Sequence, residues 1–252
     1  MNPSPTPVPF TSAHTRATIT KTLLIVGALI AGLMLVIETL TFVYPLPTED
    51  QELDQNVIGA VLAVLLVLVG LLAFVVYLTT VVFFLMWLYR SNNNLKRFNT
   101  WARLEYSAGW AVGSFFVPFA NLIVPYRAVR EVWQKSRTPE EAVYAEPSPP
   151  SFFPVWWVVW LVSGFADNIS FRLSFNERVD EGTAMTVSII ANGLSIVAAA
   201  LAYFVVDAID KRQAETSAKL SLGQFSGPPP PPPDLSTPFS FNPDAQSNQS
   251  QY

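Results

Sequence analysis

The chain has 252 residues, of which 51% are hydrophobic and only 13% charged, against about 25% charged for an average soluble domain. Mean hydropathy is positive and the net charge is −4, so the composition belongs to the membrane class and gives no reason to expect nucleic acid as a partner. There is no cysteine and one histidine, which excludes disulfides, thiolate catalysis and Cys-ligated metal; His14, in a Pro/Thr-rich stretch, reads as a solvated tail residue.

In chain order, residues 1–18 are rich in Pro, Ser and Thr and read as a disordered tail. Crossing the ~30 Å hydrocarbon layer takes about 20 apolar residues. Four segments qualify, at 22–44, 57–88, 152–171 and 185–206. The first contains Glu38 and lacks a small-residue cleavage site before Pro45, so it reads as an anchor rather than a signal peptide. The expected fold is all-α: a multi-pass transmembrane helix bundle of four spans within residues 19–215.

The lysines and arginines set the orientation. Arg16 and Lys21 precede the first span, eight basic residues lie between Arg90 and Arg137, and Lys211, Arg212 and Lys219 follow the last span. The loop after the first span carries only Glu49, Asp50, Glu52 and Asp54 as charges. Thirteen of fifteen basic residues thus fall on one side, which predicts cytoplasmic N- and C-termini.

Residues 108–124 are apolar and almost long enough to span, yet both flanks are basic and Pro118 and Asn121 interrupt the run. A proline removes a backbone donor and kinks a helix. The segment therefore reads as re-entrant or interfacial on the cytoplasmic side. Amphipathic helices are predicted on each flank. Over 91–106, Leu95, Phe98, Trp101 and Ala102 oppose Lys96, Arg97 and Arg103. Over 125–135, Pro125 stands first and Tyr126, Val129, Val132 and Trp133 oppose Arg127, Arg130 and Gln134. Such basic faces suit an anionic leaflet, or simply hold the bundle in place. Arg127 and Glu131 are spaced for a local i,i+4 pair.

Four intramembrane polar residues stand out: Glu38, Asp167, Arg172 and Asn192. They read either as a proton or ion path or, because Glu38, Asp167 and Arg172 lie shallow near the outer ends of their spans, as interhelical pairs, Glu38–Arg172 or Asp167–Arg172, or as side chains snorkelling to the outer interface. Asn121 could bond backbone freed by Pro118 or present its amide to a lipid head group or solute. Ala191, Ser195 and Ala199, like Ala28 and Gly32, recur at a spacing that lets helices approach, within the chain or in a homo-oligomer. Residues 138–151 read as a flexible Pro/Glu-rich linker, and 216–252 as a disordered tail whose six prolines, Pro228–Pro233, could dock a protein partner.

An ordered set of residues carries a family resemblance. Trp87-Leu88-Tyr89-Arg90, Asn94-Leu95, Ser107 to Gly113 with Trp110, Phe116-Val117-Pro118, Asn121-Leu122, Pro125-Tyr126-Arg127, Arg130-Glu131 and Trp133 are followed by Trp156-Trp157 and Trp160. From about residue 55 to 215 the chain resembles a bacterial membrane family, domain of unknown function 4328. Ala108 departs from the pattern, which has proline after the serine. The resemblance implies a bacterial inner-membrane location and no particular activity.

The sequence offers no catalytic, cofactor or metal site, because paired acidic motifs and nucleophile–base sets are missing. The expected function is a non-enzymatic platform that binds lipid, with anionic head groups favoured, or protein. Its candidate residues are Arg90, Asn94, Trp110, Pro118, Asn121, Tyr126, Arg127, Arg130, Glu131 and Trp133. The alternative is a small transporter or channel subunit using the break around Pro118–Asn121.

Overall fold

The computed structural model describes residues 12–44, 46, 56–98, 103–176 and 178–221. Among them every regular element is helical. Four helices are long and apolar enough to cross a bilayer: α1 (His14–Val43), α2 (Val57–Phe98), α5 (Phe152–Leu173) and α6 (Glu181–Ser221). Between α2 and α5 lie α3 (Ala108–Gly113), a 3₁₀ turn at Ser114–Phe116, α4 (Ala120–Lys135) and a second 3₁₀ turn at Glu141–Val143. The Pro-rich tail and the acidic loop after the first span lie outside the described residues, as does most of the N-terminal tail.

Local chemistry sets the helix ends. The Asn56 side chain accepts the Gly59 N–H at 3.0 Å and starts α2, while Asp180 accepts the Thr183 N–H at 2.9 Å and starts α6. Lys96 and Arg97 close α2, where cations suit the negative end of the helix dipole. At 42 residues and 1.5 Å per residue, α2 is roughly 60 Å long, about twice the hydrocarbon thickness.

The long helices run antiparallel. α1 packs on α2 through Ile30, Ile37, Leu62 and Val69. Its other side meets α6, and α6 in turn packs on α5. The spatial order is therefore α2–α1–α6–α5. The buried seam of α6 runs Ala191, Ala198, Ala202, Val205, Ile209, Gln213 and Thr216, three or four residues apart beyond Ala198, as close-packed antiparallel helices require. Of the small-residue repeat, Ala191 lies in this seam while Ser195 is half-buried. At Gly32 an added Cβ would meet nothing within 4 Å, so no close approach inside the chain depends on it.

The first turns of α1 and α5 and the last turns of α2 and α6 gather at one end of the bundle, the basic end. The polar ties there are dense. Lys21 pairs with Asp207 at 2.9 Å and with Asp210 at 3.6 Å. Arg16 donates to the Met86 carbonyl at 3.1 Å. Gln213 of α6 accepts from the Asn94 side chain at 3.2 Å, and donates to the Ser91 carbonyl at 2.9 Å and the Ser136 hydroxyl at 3.1 Å.

Several expectations change here. His14 is not simply solvated: its Nδ1 lies 2.8 Å from Asp210, and α1 begins at that residue, inside the stretch read as a tail. Residues 91–98 belong to α2 and bury Ser91, Asn92, Asn94, Leu95 and Phe98, so the stripe expected over 91–106 continues α2 as far as Phe98 rather than starting a helix of its own, and its Trp101 and Ala102 lie outside the described residues. α6 runs on to Ser221 because Gln213 and Thr216 are buried against neighbouring elements. The stretch 138–151 is tied down rather than left loose. Arg137 donates to the carbonyls of Glu141, Tyr144 and Ala145, Gln134 donates to Pro147, and Lys135 pairs with Glu146. Gln134 is thus buried and bonded, not on the outward face.

Replacing Gln213 with leucine leaves buried polar partners on α2 and after α4 unmatched, each costing about 1–3 kcal/mol. The unfolding midpoint of the detergent-solubilised protein is expected to fall clearly in Gln213→Leu and to stay put in Lys211→Ala, whose side chain is 72% exposed.

Candidate functional site

The candidate site is the elbow that α3 and α4 form beside the basic end, between α2 and α5. Ser107 caps α3 by accepting the Trp110 N–H at 3.2 Å. Ala108 is then the first helical residue, where proline's fixed φ would also serve; the cap alone sets the entry here. After the 3₁₀ turn the chain reverses at Pro118–Phe119–Ala120. Ala120 donates to the Pro118 carbonyl at 2.8 Å and Phe119 has φ 64° and ψ −45°. This is a γ-turn of positive φ, a rare and strained form, costing of order 1–3 kcal/mol at a non-glycine residue. The break predicted around Pro118 is present, and the segment does not continue as one helix.

Beneath the elbow lies an aromatic bed. Phe115 meets Phe84 of α2 at 5.9 Å and Trp157 and Trp160 of α5 at 6.3 and 6.1 Å, all edge-on. Trp157 stacks on Trp160 at 4.8 Å and donates its indole N–H to the Leu122 carbonyl at 2.8 Å. α4 begins at Ala120, five residues before the expected start, so Pro125 lies inside it. Proline there leaves the Asn121 carbonyl without its usual helical donor. The Asn121 side-chain oxygen, an acceptor and so unable to replace that donor, is itself buried without a partner.

The other face of α4 is fixed by Glu131. Its carboxylate accepts the backbone N–H groups of Glu105 at 2.5 Å and Tyr106 at 3.1 Å. Asn92 donates to the Tyr106 carbonyl at 3.3 Å from the opposite side. Glu131 therefore clamps the 105–106 backbone, and among the described ion pairs it has none with Arg127, contrary to the i,i+4 expectation. Burial holds the Glu131 carboxyl above the ordinary glutamate value, while the two N–H bonds oppose that shift.

The candidate residues fall into two groups. Asn94, Tyr126, Glu131 and Trp133 are built into the scaffold. Trp133 meets Phe153 edge-on at 6.0 Å and carries the Arg212 guanidinium 4.2 Å over its ring. Arg90 is half-buried, its Nε without a partner. Trp110, Pro118, Arg127 and Arg130 are exposed. They share the surface with Phe116, Phe119, Leu122 and Ile123, and Phe119 at the tip is 86% exposed. Ile123, Arg127 and Arg130 are spaced to share one face of α4. The outer surface thus grades from apolar at the elbow tip to cationic at Arg127 and Arg130, about 6 and 10 Å beyond Ile123 along the helix.

The intramembrane polar residues do not pair as expected. Arg172 donates to Asn168 at 2.9 Å, four residues back on α5, and meets neither carboxylate. Glu38 instead binds Ser188 and Asn192, and Asp167 binds Ser195, all three partners on α6. Among the described residues no group of His, Asp or Glu is placed to hold a metal ion. Sequence reasoning missed the clamp of Glu131, the His14–Asp210 contact and the seat of Trp157. Asp207 and Asp210, acids set among the bases just past the last span, were the available signal for the second of these.

The raised value of Glu131 has a definite sign. Stability is fully present below the ordinary value of 4.5 and is lost as pH rises through the higher folded one. The thermal midpoint is expected to decline with pH over that window in the wild type, and Glu131→Gln removes that part of the decline. An identical pH profile in the variant would show that Glu131 ionises freely.

Residues 50–211 match the family described as a domain of unknown function (DUF4328). No curated protein and no solved structure matches the chain. The matched stretch takes in α2, the whole elbow, α5 and most of α6, well over half the chain, and it contains the tryptophans of the aromatic bed and the glutamate that clamps α4. This membrane protein, with four helices long and apolar enough to span a bilayer, belongs to the DUF4328 family.

Proposed function

We propose that this protein is a non-enzymatic membrane platform whose elbow and α4 bind the anionic head groups of the cytoplasmic leaflet of a bacterial inner membrane. The observation that carries this reading is the graded outer surface. Phe116, Phe119, Leu122 and Ile123 are exposed at the tip, and Arg127 and Arg130 are exposed one to two helical turns further on. A large apolar tip is unfavourable in water and at home among acyl chains. Arginines at that distance reach the phosphate level, with their stems along the apolar zone. The scaffold supports the reading too, since Glu131, Phe115 and Trp157 hold the strained tip in one shape, which lowers the ordering cost of binding.

The orientation belongs to the same proposal. The basic end faces the cytoplasm by the bias of lysine and arginine. Because the chain has no cysteine, single cysteines at Ala145 and Ser174 report sidedness directly. An impermeant thiol reagent is expected to label Ala145→Cys only from the cytoplasmic side and Ser174→Cys only from the other; the reverse pattern overturns the orientation.

The lipid reading is tested by Arg127→Ala with Arg130→Ala. Each cation near an anionic surface contributes about 1 kcal/mol, so the pair accounts for roughly a tenfold or greater change in affinity. Phosphatidylglycerol retained by the purified protein, relative to phosphatidylcholine, is expected to fall by about that factor while the helices stay inserted. Equal retention in wild type and variant sinks the lipid reading.

A further inference from the structure

The polar groups between α1, α5 and α6 form a second site, remote from the elbow. Ser188, Asn192 and Ser195 are four and three residues apart and share one face of α6. Glu38 enters from α1 and is only 7% exposed. Asn192 donates to both of its oxygens, at 3.2 and 3.0 Å, and the Ser188 hydroxyl lies 2.5 Å from the first of them. Thr41, one turn on, donates to the Glu38 backbone carbonyl at 2.7 Å. At the far end of the stripe Ser195 bonds Asp167 of α5 at 3.2 Å.

The charges around Glu38 are absent from every packed element among the described residues. The wall of α2 facing α1 is Leu62, Leu66, Val69, Ala73 and Val76. α6 contributes the serine and the amide. Asp167 is the next titratable group along the stripe, with Tyr77 of α2 within its electrostatic reach. Arg172 is occupied by Asn168. At 1.5 Å per residue, Asn192 lies roughly 10 Å inside the span that begins at residue 185, and Glu38 roughly 9 Å from the outer end of the first span. An ionised carboxylate there would have two neutral donor groups, the Ser188 hydroxyl and the Asn192 amide, and no counter-ion, an arrangement that membrane interiors strongly disfavour. The neutral acid fits the same atoms without rearrangement: its O–H donates to Ser188 Oγ, while the Asn192 amide donates to the other oxygen.

We propose that Glu38, completed by Ser188 and Asn192, is a proton-binding site within the membrane. The ligand is a proton rather than a metal cation, because Asn192 turns its NH₂ toward the carboxyl and would repel one. The site joins α1, which lies outside the matched residues 50–211, to α6, which lies mostly within them.

The test uses dicyclohexylcarbodiimide, which adds to protonated carboxyl groups in apolar surroundings, on the full-length chain in phosphatidylethanolamine–phosphatidylglycerol vesicles. Peptide mass mapping is expected to find the adduct on Glu38 at neutral pH, with its yield falling as the medium is made alkaline and unchanged by sodium at constant pH. Glu38→Gln loses the adduct; Ser188→Ala keeps it with the alkaline fall displaced. The wild-type result stands without either variant. Absence of a Glu38 adduct at every pH overturns the proposal, as does suppression by sodium at constant pH, which assigns the carboxylate to a metal cation.

Discussion

Gln213 is the side chain on which the architecture turns. α2 and α6 each pack on α1, and direct polar ties join them to one another at the basic end. There one amide takes the Asn94 side chain and the Ser91 carbonyl of α2, and the Ser136 hydroxyl at the end of α4. The Ser136 carbonyl is in turn held by Arg212 at 3.0 Å and Thr216 at 3.2 Å. A buried network of this kind is stabilising only when its members are matched, and it then specifies a single arrangement. It fixes where α4 stops, and so where the elbow sits.

The elbow could not hold its shape without that anchor. Its tip carries positive-φ strain at Phe119 and a proline inside the following helix, both of which favour other conformations. Three contacts resist them: the Glu131 clamp behind α4, the Phe115 ring in the aromatic bed, and the Trp157 bond to Leu122. Each comes from a different element, and each presupposes that α2, α4 and α5 are already in register. Strain at the tip is thus balanced by packing at its base.

How much of this the sequence discloses depends on the range of the interaction. Span positions follow from runs of apolar residues, a property of consecutive positions, and the break at Pro118 follows from a single residue's missing donor. The ends of α2 and α6 were illegible because hydropathy stops at the membrane, whereas the helices continue on polar residues such as Asn94 and Gln213 that are satisfied by partners 119 residues apart. The linker at 138–151 reads as loose by composition, yet Arg137 binds three of its carbonyls. Glu131 illustrates the same limit. Its i,i+4 spacing to Arg127 is visible in the sequence, but two backbone N–H groups 25 and 26 residues away compete for the carboxylate and win, because buried donors left unmatched cost more than an exposed ion pair returns.

The basic residues of this end therefore serve two ends that charge counting merges. Lys21, Lys135, Arg137, Arg212 and Lys219 are engaged with acids, carbonyls or a tryptophan ring and hold the scaffold together. Arg127 and Arg130 are exposed on α4, beyond an apolar tip. A bias of thirteen in fifteen is an orientation signal because translocation is governed by the unfolded segments, in which every charge counts. A binding surface is a property of the folded chain, in which engaged charges no longer present themselves. Engaged cations are withdrawn from the surface, so fewer are exposed at this end than the sequence suggests, and of those Arg127 and Arg130 lie on the same helix as the apolar tip.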